Sequence, residues 1–257
     1  NKTFDSAIFF GPPGTGKTTL ARIIAREMDS SFVEINASTT GIKDLKSILE
    51  NASVRFYGLM KETTFLYVDE VHRWNKLQQD SLLKAIEEGI VKFIGSTTEN
   101  PYFSINNAIL SRVGNIYEFK RLGDDEILEI LKRTLSDKDR GFGCLDIQYD
   151  DNALKTLAQM SGGDCRMALD SLGFIVDNLS EGMMIDLDIV FNQGFKPFQP
   201  HKLSIRKRPW RSVIIKCIDP AIQRIIGKNE YKHEKWKYKQ KQLYGIPFLF
   251  VRKQFHL

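Results

Sequence analysis

The 257-residue chain has no apolar run near the ~20 residues a helix needs to cross a bilayer, and no signal-peptide pattern opens it. A helical membrane anchor is therefore not expected. Cysteine is scarce. Cys144, Cys165 and Cys217 are odd in number and show neither disulfide nor metal-ligand spacing, which points to a reducing compartment. Four histidines are scattered along the chain, so no imidazole metal cluster is expected. No internal repeat is visible. What is present is enough apolar content, 42%, for a core spread over one or two domains. The net charge of +5 hides a strong asymmetry. Residues 195–257 hold 16 of the 37 Lys and Arg but only 3 of the 32 Asp and Glu, a balance of +13 against −8 for residues 1–194.

One stretch organises the rest. Gly11-Pro12-Pro13-Gly14-Thr15-Gly16-Lys17-Thr18 fits the phosphate-loop pattern G-x-x-x-x-G-K-[ST], with Thr19 following. Ser6 to Phe10 before it reads as a buried strand, and Leu20, Ile23, Ile24 and Met28 after it recur at helical spacing. Glycines let backbone N–H groups turn inward as an anion nest at a helix N-terminus. Lys17 is expected to reach the β- and γ-phosphates of ATP, and the Thr18 hydroxyl to ligate Mg²⁺.

Further strands are expected at Phe32–Asn36, Thr64–Val68, Val91–Gly95 and Asn115–Phe119. Helices are marked by Ile42, Leu45, Ile48 and Leu49, and by Leu77, Leu82, Leu83 and Ile86. Strands that are nearly continuously apolar, alternating with helices, predict an α/β fold with a parallel sheet covered on both faces. Ligands of such sheets gather at the carboxyl ends of strands, where the phosphate loop, Asp69-Glu70 and Thr98 all fall. From Leu122 the pattern turns helical, with stripes at Ile127, Ile130 and Leu131, at Ala153, Leu154 and Leu157, and from Ala168 to Leu179. Three regions follow: a nucleotide-binding core over 1–121, a helical lid over 122–194, and a basic, aromatic tail over 195–257.

Asp69 and Glu70 end a hydrophobic strand, the Walker B arrangement. Asp69 is expected to hold Mg²⁺ through its water shell, and Glu70 to orient and polarise the water that attacks the γ-phosphate.

Gly11–Thr18, together with Val68-Asp69-Glu70-Val71-His72-Arg73-Trp74-Asn75-Lys76-Leu77-Gln78-Gln79-Asp80, resembles the MgsA/RarA family of AAA+ ATPases, whose eukaryotic counterpart is the Werner-helicase-interacting ATPase. Ile94 to Pro101 and Asn107 to Arg112 extend the likeness, which covers roughly Ser6 to Leu179. It implies a five-stranded parallel P-loop sheet of order 5-1-4-3-2, followed by a small helical lid. It places Thr98 at sensor 1, with Asn100 as a nearby rival, Arg112 at an arginine finger that serves a neighbouring subunit, and Arg166 at sensor 2. Read without the resemblance, Thr98 also suits an ordinary strand-end cap, and either arginine a surface ion pair worth little. The activity implied is DNA-dependent ATP hydrolysis in replication-fork maintenance, recombination and repair. The implied partners are forked, gapped or single-stranded DNA and further copies of the chain, with no membrane. The location implied is cytoplasmic and nucleoid-associated in a bacterium, nuclear in a eukaryote.

The chain also departs from the family. The segment before the first strand is almost wholly absent, so an upstream piece is expected to be missing, and residues 195–257 show no convincing match to the family's oligomerisation domain. In that tail Trp210, Tyr231, Trp236, Tyr238 and Tyr244 lie among lysines and arginines, a mix that suits single-stranded DNA, although a charge run is more often just a solvated polycation. Two neighbouring roles share the same catalytic parts: a clamp-loader subunit and a branch-migration motor. Only Gln78-Gln79-Asp80 and Glu99-Asn100-Pro101 set them apart. A non-hydrolysing ATP-binding scaffold is the alternative of another class.

Overall fold

The computed structural model describes residues 4–59, 61–180 and 182–194. The tail and the five aromatic residues named in it lie outside the described residues. Two compact units emerge. One holds residues 4–11 and 17–119, the other residues 12–16 and 120–194.

The first unit is the expected sheet. Strands β1 (Ala7–Phe10), β2 (Ser31–Asn36), β3 (Thr64–Asp69), β4 (Val91–Thr97) and β5 (Asn115–Glu118) are all parallel, in the order β2-β3-β4-β1-β5. Read from the other edge, this is 5-1-4-3-2. The central strands are buried on both faces: Ile8, Phe9, Leu66, Tyr67, Val68, Phe93 and Ile94 have no exposed surface, as continuous apolar runs require. Helix α1 (Lys17–Glu27) lays Leu20, Ile23 and Ile24 against the sheet, and α2 (Ile42–Tyr57) contributes Leu45 and Ala52. The strand order reverses at β1, which is flanked by β4 and β5. In register Phe10 stands opposite Thr97, and Asn36 opposite Asp69, so the carboxyl ends of four strands share one rim.

The sheet departs from expectation at β4, which runs to Thr97 rather than stopping at Gly95. Ser96 and Thr97 are therefore strand residues with buried side chains. A second departure lies after Asp69. The single helix expected around Leu77–Ile86 is broken into a 3₁₀ turn (Val71–Arg73), α3 (Lys76–Asp80) and α4 (Leu83–Glu87). Polar side chains compete for the backbone here. Asn75 and Gln78 cap each other's N–H groups, and the Ser81 hydroxyl donates to the Gln78 carbonyl at 2.7 Å. Leu77 is exposed and not a core residue. Its neighbour Gln79 is buried instead, donating to the Trp74 carbonyl and accepting from the Asn106 N–H. Short helices α5 (Pro101–Ser104) and α6 (Asn107–Leu110) lead into β5.

The second unit is helical: α7 (Asp124–Ser136), α8 (Asp151–Met160), α9 (Cys165–Asp177) and α10 (Leu187–Gln193). Ile127, Ile130 and Leu131 pack with Leu154, Leu157 and the Ala168–Val176 stripe. Asp150, Asp164 and Asp186 each cap a helix N-terminus through a carboxylate oxygen, as acceptors there should. Helix α9 stops at Asp177, so Leu179 falls beyond it, and α10 adds a fourth helix to the three expected stripes.

Candidate functional site

Gly11 leaves β1 with φ of 140°, its N–H held by the Thr97 carbonyl at 3.1 Å. A Cβ there would lie 2.0 Å from the Phe119 backbone oxygen, so only glycine fits the turn. Lys17, buried in the first turn of α1, donates through Nζ to the Gly11 carbonyl at 2.8 Å. The ammonium is thus folded back over the loop's entrance. Within the second unit, Thr15 is buried and its hydroxyl donates to the Pro12 carbonyl at 2.9 Å. Gly14 (φ 71°) lies so close to Asp164 that a Cβ would come within 1.8 Å of the carboxylate. Pro13 is exposed, while Gly16 precedes α1 and Thr19 lies half-buried in its first turn.

Thr18 and Asp69 are brought together by Tyr67, a residue to which no motif assigns a role. The Tyr67 hydroxyl stands 2.8 Å from Thr18 Oγ1 and donates to Asp69 Oδ1 at 3.4 Å, while the Ser96 hydroxyl donates to the same carboxylate oxygen. Burial and then the Asp69 charge push the Tyr67 phenol well above its ordinary pKa, so it stays a neutral donor. A signal existed. Strand period two puts Tyr67 on the same face of β3 as Asp69.

Glu70 follows in left-handed backbone (φ 56°, ψ 39°), a conformation that costs a non-glycine residue about 1–3 kcal/mol. The 3₁₀ turn fixes it, with the Arg73 N–H donating to the Glu70 carbonyl at 2.8 Å. Its carboxylate lies 3.2 Å from His72 Nε2 and 3.3 Å from Arg73 Nε. On its other side the His72 ring meets Thr97 through Nδ1 at 2.9 Å. His72, Ser96 and Thr97 are further residues at this rim without an expected role, and no periodic signal marks a histidine in a 3₁₀ turn.

The remaining expected residues are spread out. Thr98 is exposed, the first residue beyond β4. Asn100 uses its side chain to accept from the Tyr102 N–H at the start of α5. Arg112 is tied to Glu87 and to the Ala108 carbonyl, the latter at 2.6 Å. Arg166 is exposed near the start of α9, in the second unit.

The oxygen donors present fit one small hard cation. A threonine hydroxyl and a carboxylate share a tyrosine hydroxyl, and Mg²⁺ typically takes one or two such protein ligands and completes its shell with phosphate oxygens and water. Among the described residues, no group of three His, Cys, Asp or Glu side chains is placed to hold a metal ion, and no helix is long and apolar enough to cross a membrane. A cavity of about 500 Å³ lined by Phe4, Met28, Lys61, Glu62, Phe65 and Lys92 opens at the amino ends of the strands, the rim opposite Asp69.

A family model described as the ATPase family associated with various cellular activities (AAA) matches residues 7–121. Among curated proteins, replication-associated recombination protein A of Haemophilus influenzae is 46% identical over 176 residues, covering 68% of this chain and 39% of that protein. Its namesake from Escherichia coli K12 is 41% identical over 199 residues, covering 77% and 42%. ATPase WRNIP1 of Dictyostelium discoideum is 40% identical over 176 residues, covering 66% and 19%. This chain thus spans less than half the length of these relatives. Among solved structures, the Thermotoga maritima RuvB Holliday junction branch migration motor superposes with a TM-score of 0.61 at 29% identity, covering 74% of this chain and 60% of that one.

Proposed function

From the premise that the chain belongs to the AAA ATPases, in the branch of replication-associated recombination protein A, we propose that it binds ATP with Mg²⁺ and hydrolyses it to ADP and phosphate. The observation that supports this most is the joining of Thr18 and Asp69 through one tyrosine hydroxyl, at the rim whose chain also carries Lys17 and Glu70. Bound Mg²⁺ would be held by Thr18 and, through water, by Asp69, and would neutralise phosphate charge. Lys17 swings from the Gly11 carbonyl to the phosphates, a better partner for an ammonium. Glu70 orients a water and takes up its proton as the γ-phosphoryl bond breaks. Thr98, free of the capping work that occupies Asn100, contacts the γ-phosphate. Arg112 leaves Glu87 to serve the nucleotide of a neighbouring copy, and Arg166 serves the nucleotide of its own chain, both by family resemblance.

The work coupled to hydrolysis is proposed to be replication-fork maintenance, recombination and repair on forked, gapped or single-stranded DNA, carried out by a homo-oligomer. The names of the curated relatives support this reading. The likeness to a branch migration motor favours a second one, movement of a DNA junction.

ATP turnover measured with and without gapped or forked DNA tests the proposal, using Glu70→Gln and Lys17→Ala as controls. Stimulation by gapped or forked DNA, lost in Glu70→Gln although ATP still binds, is the expected result. Junction-specific stimulation supports the motor, and a need for a sliding clamp a clamp-loader role. Binding without turnover refutes hydrolysis and leaves a scaffold.

A further inference from the structure

We propose that His72 and Thr97 form a positioning relay that aims the Glu70 carboxylate, so that the carboxyl end of β4 sets the geometry of hydrolysis. The inference rests on Glu70 orienting the attacking water.

The two ring nitrogens of His72 face different groups, in a side chain only 10% exposed. Nδ1 lies 2.9 Å from Thr97 Oγ1, and Nε2 lies 3.2 Å from Glu70 Oε2 and 3.9 Å from Glu99 Oε1. The buried Thr97 oxygen already accepts the Glu99 N–H at 3.0 Å. Its own proton needs an acceptor, and Nδ1 is the one at hand. That bond makes Nδ1 the bare nitrogen and places the ring proton on Nε2, pointing at Glu70. The donors run in one direction: Glu99 N–H to Thr97, Thr97 O–H to His72, His72 Nε2–H to Glu70.

Glu70 needs such a hold. Its backbone is left-handed, and its other partner, Arg73, is 58% exposed and restrains it weakly. The relay is the buried restraint on the carboxylate. It begins in the turn that carries Thr98 and Asn100, so a shift of that turn on nucleotide binding moves Glu70. His72 and Thr97 need touch neither nucleotide nor water to act this way.

The test uses the full chain at pH 8 with Thr97→Val, which keeps the shape without the hydroxyl, His72→Ala, and His72→Gln, which returns an N–H donor. Thr97→Val and His72→Ala should each lower kcat by about 10- to 100-fold, the order a misplaced catalytic group costs, with ATP affinity unchanged. His72→Gln should recover most of the loss. The double variant Thr97→Val/His72→Ala should be no slower than His72→Ala alone, because both break one chain. A readout free of turnover is the ¹⁵N–¹H imidazole spectrum of histidine-labelled protein. It should show His72 protonated at Nε2 and bonded at Nδ1, and a mixture of tautomers in Thr97→Val. Additive losses, an Nδ1–H tautomer, or unchanged turnover in His72→Ala would each overturn the relay. If Glu70→Gln turns over at the wild-type rate while the tautomer is as stated, the role of Glu70 has failed and the relay loses its purpose. The two failures are thus told apart.

Discussion

Replacing Tyr67 with Phe removes a single oxygen from a side chain with no exposed surface and leaves the ring packing against Phe32 in place. The hydroxyl accounts for a 2.8 Å bond to Thr18 and a longer, 3.4 Å bond to Asp69, which keeps a second donor in Ser96. The lost bond to Thr18 is neutral, worth about 1 kcal/mol, and the long bond to the carboxylate adds less than the usual ~1.5–3 kcal/mol for a charged acceptor. Together they predict a cost of about 1–2 kcal/mol. At roughly 2–4 °C of melting temperature per kcal/mol for a chain of this size, the shift should be modest. The functional effect is more specific. With the phenol proton directed at Asp69, its oxygen accepts the Thr18 O–H and Thr18 presents lone pairs to a metal; without it, that orientation is lost. The Mg²⁺ concentration giving half-maximal binding of a fluorescent ATP analogue should rise about 5- to 10-fold, tenfold corresponding to about 1.4 kcal/mol. Turnover at saturating Mg²⁺ should stay within about 3-fold of wild type. A variant with lowered melting temperature but unchanged Mg²⁺ dependence would refute the argument, because Tyr67 would then be only a core residue.

Gly11→Ala should abolish folding or nucleotide binding, since its methyl group would meet backbone oxygen at 2.0 Å; Gly89→Ala, left-handed at φ 70° but with open space around it, should cost only about 1–2 kcal/mol by thermal melting. Leu157→Ala, which empties a fully buried position of the helical unit, should destabilise by about 2–5 kcal/mol in denaturant titration. Mixing Arg112→Ala with Lys17→Ala chains should restore ATPase activity that neither shows alone, because one mixed interface pairs an intact loop with an intact arginine. No recovery in mixtures shown by light scattering to co-assemble counts against a finger acting across subunits, whose usual worth is about 10³–10⁵ in rate.

The sequence by itself determined the sheet and its rim. Apolar runs at Ile8, Leu66 and Phe93, alternating with helical stripes, argue for strands buried on both faces, and the string from Gly11 to Thr18 between a strand and a helix argues for a phosphate loop, so β1, α1 and the Asp69-Glu70 strand end were legible in the sequence. Periodicity is a statement about one segment against one core, and it fails where polar side chains take over the backbone. That is why helical spacing points Leu77 inward although Gln79 is the buried residue, and why one expected helix is a 3₁₀ turn and two short helices. Tertiary structure alone decided which side chains meet across strands. Tyr67 joins Thr18 to Asp69 over a separation of 49 residues, and His72 reaches Thr97 over 25. Such pairings depend on strand order and register, which no local pattern encodes, because a hydrogen bond is set by distance in space and not by spacing along the chain.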